Sequence, residues 1–144
     1  MSLFSILPAI DHGRVIAAIQ AAEQRTSGEI RVLVAREKAE EPVAAAEAHF
    51  DRLGMKETAA RNGVLIFFAP RSHTFAIVGD TAIHAKCGQT FWEHVASAME
   101  RDFKRGAYTD GLVNGIGRAG ALLAEHFPRG NDDRNELPNT VEEA

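Results

Sequence analysis

Residues 63–80 read GVLIFFAPRSHTFAIVGD, and the reading of this stretch decides the fold. Its first seven residues lack the apolar and polar alternation of a half-exposed strand, which predicts a central strand covered on both faces. Pro70 closes it, and Arg71-Ser72-His73 is so short a link that the next strand, over 74–80, is expected to return antiparallel as a hairpin. Upstream, EIRVLVA at 29–35 alternates Ile30, Val32 and Val34 with Glu29, Arg31 and Leu33, a β-branched run that reads as a further strand. Between 29–35 and 63–69 lies a helix opened by Pro42 and closed by Gly54. That is enough chain for a crossover, so these two strands are expected parallel and the sheet mixed.

The remaining segments are helical. Residues 11–25 carry Val15, Ile16, Ile19 and Ala22 on one face, with Asp11 as N-cap. Thr90-Phe-Trp-Glu93 is a capping box that opens a helix along Phe91, Trp92, Val95, Met99 and Phe103, ended by Gly106. A last helix over 108–127 repeats Leu112, Ile116, Ala119, Leu123 and Phe127 until Pro128 stops it. The fold class is therefore α/β, a three-layer sandwich with a central mixed β-sheet flanked by helices. Residues 1–128 form its one domain. Residues 129–144 read as a polar, acidic, mobile tail in which Leu137 and Val141 are the groups able to dock.

The 144 residues, 45% hydrophobic and 25% charged, suffice for a core without disulfide or metal staples. The formal charge of −4 argues against a broad nucleic-acid interface, and residues 128–144 hold −3 of it, from two basic and five acidic residues. Cys87 is the one cysteine, which excludes an internal disulfide or a Cys-based zinc site and makes cytoplasmic residence the simplest expectation. Neither a signal peptide nor a membrane span is expected, because the longest dense apolar run, 64–69, is far below the roughly 20 residues a bilayer requires.

Several motifs have bland explanations. Gly115-Ile-Gly-Arg-Ala-Gly120 matches a dinucleotide-binding pattern but sits inside a helix instead of between strand and helix, so close helix packing is expected. Cys87 reads as a small hydrophobe, and His12, His49, His73 and His126 are scattered singly without metal-binding spacing. The topology supplies a better candidate. The starts of the first two strands and the end of the third share one sheet edge, which brings Thr26, Glu29, Arg61, Asn62 and Asp80 together. Thr26, Arg61 and Asn62 are the candidate ligand-binding residues. Glu29 and Asp80 offer hard oxygen ligands suited to Ca²⁺ or Mg²⁺. The alternative is that both carboxylates cap turns or pair with Arg61, and that Asn62-Gly63 is only a turn.

TSGEIRVLV (26–34), FDRLGMKETAARNGVLIFF (50–68), AIVGD (76–80) and the spaced series from Phe91 to Leu112 together resemble the TPM domain family, over about residues 9–128. The nearest likeness is to the small branch with TSGEIR, RNGVLI and IVGD. The resemblance implies an α/β sandwich with a central mixed sheet. It implies two functional classes: divalent-cation-dependent acid phosphatases, and accessory or assembly modules. The family's Thr-Gly-x-Glu start falls on Thr26, Ser27, Gly28 and Glu29 with the glycine displaced. Its Arg-Asp-Asn-Gly falls on Arg61, Asn62 and Gly63 without the Asp, and its Gly-Tyr-Gly-Leu-Glu on Val78, Gly79, Asp80, Thr81 and Ala82. As an enzyme, the chain would hold the cation on Asp80 and Glu29, and phosphate on Arg61. With that set incomplete, the expected function is a non-catalytic binding or accessory module. Its expected partner is a protein, an integral membrane protein included, which would place the chain in the cytoplasm at the membrane periphery.

Overall fold

Gly63–Ala69 is strand β2 and is buried at every position, as its unbroken apolar run requires. The computed structural model describes residues 10–130 and 141–144. β1 (Glu29–Val34) lies parallel to β2 in the register Glu29↔Gly63 to Val34↔Phe68, and β3 (Thr74–Gly79) is antiparallel to β2. A short 3-10 turn, Pro70–Ser72, followed by His73 at φ 55°, makes the tight link between β2 and β3.

Helices α1 (His12–Glu23), α3 (Thr81–Lys104) and α4 (Tyr108–His126) cover one face. The core on that side joins Val32, Ile66 and Phe68 to Ile19, Met99 and Ile116. Helix α2 (Pro42–Arg52) covers the other face, where Ala46 and Phe50 meet Leu33, Leu65 and Phe67. The result is the mixed four-stranded sheet between helical layers, in the order β3-β2-β1-β4.

Two elements depart from the sequence reading. The fourth strand, β4 (Val141–Glu143), lies in the expected tail and pairs parallel with β1. Charge pairing accounts for it: Glu142 meets the buried guanidinium of Arg31, and Glu143 meets His12 at 2.8 Å and Arg36 at 3.2 Å. Leu137, the other group expected to dock, lies outside the described residues. The second departure is α3, which begins at Thr81 and not at the capping box of Thr90. Asp80 caps it through Thr81 N–H at 2.7 Å, and the helix bends at Gly88, whose φ of 68° and ψ of −170° are not helical.

Helix α4 approaches α3 and α1 closely because three of its glycines leave room for their side chains. A methyl group added at Gly111 would meet Phe103 at 2.5 Å, one at Gly115 would meet Met99 at 2.5 Å, and one at Gly120 would meet Ala22 at 2.7 Å. The dinucleotide-like motif is thus a packing surface. At Gly117 the same methyl group would meet nothing within 4 Å. Thermal or urea unfolding should therefore separate two neighbouring substitutions. Gly117→Ala should raise stability by about 0.5–1 kcal/mol through helix propensity, and Gly115→Ala should lower it by about 1–3 kcal/mol through overpacking.

Candidate functional site

At the edge where β1 and β2 start and β3 ends, Glu29 pairs with Gly63, and Asp80 N–H donates to the Gly63 carbonyl at 3.0 Å. The expected convergence is therefore present at the backbone level. The side chains divide it. Arg61 grips Asp80 with two bonds, Nε to Oδ2 at 2.7 Å and Nη2 to Oδ1 at 2.8 Å. Oδ1 also accepts Thr81 N–H, so both carboxylate oxygens are engaged. Burial alone would raise the Asp80 pKa, but the bonds from Arg61 and Thr81 N–H prevail and hold it below the ordinary carboxylate range.

Arg61 reaches this position from a left-handed backbone, φ 53°, and its carbonyl accepts Ala82 N–H at 3.2 Å. Its side chain is 45% exposed, whereas that of Asp80 is 2% exposed, so the guanidinium is the accessible half of the pair. Asn62 turns away: it is buried, donates through Nδ2 to Ser27 Oγ at 3.2 Å, and its carbonyl accepts Glu29 N–H at 3.3 Å. Thr26 is also structural. Its hydroxyl donates to the Phe127 carbonyl at 2.5 Å and accepts Gly28 N–H at 3.0 Å, fastening the entry to β1 onto the end of α4.

Glu29 is buried beside a second acid, Glu23. Glu23 Oε2 accepts Ile30 N–H at 2.9 Å and its Oε1 has no hydrogen-bond partner. Burial first, and repulsion from Glu29 in addition, lift the Glu23 pKa from 4.5 to about 7. Among the described residues no group of three or more His, Cys, Asp or Glu is arranged to hold a metal ion. Burial pushes the Cys87 thiol pKa up, which disfavours the thiolate that nucleophilic chemistry requires.

A cleft of about 300 Å³ opens in front of Arg61 and Asp80, bordered by Glu47, Asp51, Lys56 and His84. Lys56 pairs with Asp51 at 2.9 Å. These four residues were not singled out from the sequence. The one available signal was the i, i+4 spacing of Glu47 and Asp51, which puts them on one face of α2. The arrangement can receive a polar group at the exposed guanidinium of Arg61, flanked by acids.

The TPM domain model matches residues 5–122. The chain belongs to the TPM domain family. Its fold is similar to that of BA42, a protein of the psychrophilic bacterium Bizionia argentinensis solved by NMR, with a TM-score of 0.90 and 36% identity over 99% of this chain and 100% of that one. It is also similar to the N-terminal domain of the cg2496 protein of Corynebacterium glutamicum (TM-score 0.58, 14% identity, 92% of this chain and 77% of that one). A third likeness in fold is the N-terminal domain of a P. gingivalis protein (TM-score 0.59, 14% identity, 80% of this chain and 76% of that one). No curated protein matches the chain.

Two outcomes follow for this TPM domain. Asp80→Ala should cost about 2 kcal/mol in urea unfolding, because it removes a helix cap together with charge-assisted bonds. For Glu23, the native state keeps a proton up to about pH 7 that the unfolded chain releases near 4.5, so stability falls as pH rises through that window. Between pH 5 and pH 8 the loss should be on the order of 2–3 kcal/mol. Unfolding of Glu23→Gln across the same range should be nearly flat.

Proposed function

We propose that this TPM domain is a non-catalytic binding or accessory module of the small branch with TSGEIR, RNGVLI and IVGD. In this reading it acts through a protein partner, an integral membrane protein being the class that the family reading favours, and works at the cytoplasmic periphery of a membrane. Among the described residues no helix is long and apolar enough to cross a membrane. In this reading the chain attaches through its partner.

The observation that carries the reading is the state of Asp80. Its Oδ1 accepts from Arg61 and from the first N–H of α3, and its Oδ2 accepts from Arg61, so a cation at Asp80 would compete with a bidentate pair next to the helix cap. In this reading Asp80 serves the fold as the cap of α3 and the partner of Arg61.

The purified chain should show no hydrolysis of p-nitrophenyl phosphate above the level of Arg61→Ala, with or without millimolar Ca²⁺ or Mg²⁺. Crosslinking in membranes should give one reproducible protein adduct. Cation-dependent turnover that disappears in both Arg61→Ala and Asp80→Ala would replace this reading with that of a divalent-cation-dependent acid phosphatase.

A further inference from the structure

A concavity of about 830 Å³ is the outer groove between α3 and α4, and it shares no residue with the Arg61 cleft. Its floor is small: Ala98, Gly117 and Ala121. Its rim carries His94, Arg101 and Arg118, and neither guanidinium has an ion-pair partner among the described residues. The one acid in the lining, Asp102, is already matched by Arg105 at 2.5 Å and bonded to Asn114 at 2.5 Å. Among the described residues the lining is therefore net cationic: two guanidiniums stand against one carboxylate, which feels the charge of Arg101 and is already engaged by Arg105 and Asn114.

Gly117 adds an independent point. Glycine inside a helix lowers stability relative to alanine, and it persists where a backbone must come close. The helical glycines at 111, 115 and 120 each face such a neighbour, but Gly117 faces open space within the groove. Lining residues on α4 run from Val113 to Ala121, about 12 Å or two helical turns.

We infer that the α3/α4 groove is a docking surface for an acidic helix of a protein partner, whose backbone approaches Gly117 while its carboxylates meet Arg101 and Arg118. Charge complementarity selects an acid-bearing occupant, and a floor of two alanine methyls and one bare glycine selects a helix that packs closely. This goes beyond the module reading and stands or falls separately from it, because the groove would dock a helix whether or not the Arg61 end has activity.

The test is a two-dimensional NMR titration of the full chain with a stapled helical peptide of about 14 residues, alanine along one face and glutamate on its flanks. A matched peptide with lysine for glutamate and inorganic phosphate are the controls. The glutamate peptide should shift the amides of Ser97, Arg101, Gly117 and Arg118, while the lysine peptide and phosphate should not. Arg101→Glu/Arg118→Glu should weaken binding at least about tenfold. Gly117→Leu, on an open surface that leaves the fold intact by its spectrum, should weaken it comparably. The inference is overturned by any of four results: no shifts up to about 1 mM peptide, equal shifts with both peptides, the same shifts with phosphate alone, or wild-type affinity in Gly117→Leu. It is also overturned if the groove amides shift with chain concentration alone, which would assign the surface to a second copy.

Discussion

β1 and β2 are buried on both faces, and this sets what the rest of the molecule must do. A parallel pair without solvent on either side has to satisfy its backbone groups in the ladder and needs helices above and below. Helices α1, α3 and α4 supply one cover and α2 the other. The register from Glu29↔Gly63 to Val34↔Phe68 then fixes which side chains reach which layer, since a slip of one residue would exchange the two cores. Polar groups at the ends of these strands, Glu29, Asn62 and Asp80, are buried as a consequence of where the strands begin.

Burial of that kind explains the division of labour at the strand starts. Asp80 ends β3, begins α3 and accepts a two-pronged bond from Arg61, so one carboxylate joins three segments of chain. Such pairs give up little Coulomb energy to water on the buried side, and truncating one partner disrupts more than the pair itself contributes. The half-exposed guanidinium is the part of this arrangement that can still meet a ligand.

Much of this was legible in the sequence, for definable reasons. The run at 63–69 and the three-residue link after it identified β2, β3 and their antiparallel pairing, because central burial and hairpin closure both leave local marks. The regular spacing of Leu112, Ile116, Ala119 and Leu123 did the same for α4. The first half of α3 left no such mark: of Thr81 to Cys87 only Ile83 is fully buried, and the helix is set by Asp80 from the preceding strand. At the site, the shared edge of Arg61 and Asp80 followed from topology. The grip between them depends on the left-handed backbone at Arg61, and the cleft depends on where α2 lies against β3. Neither is a property of local sequence.

The fourth strand is the least legible element, since Val141-Glu142-Glu143 has weak strand propensity and is held by ion pairs with Arg31, Arg36 and His12. Its placement changes the character of the sheet's margin. Without it, β1, with its alternating Ile30, Val32 and Val34, would present unpaired amides and carbonyls to other chains, the geometry from which edge-to-edge aggregation starts. With it, the margin becomes a three-residue strand bearing two carboxylates, both partly exposed. The acidic strand is thereby a short charged selvage that covers the second half of β1, from Val32 to Val34.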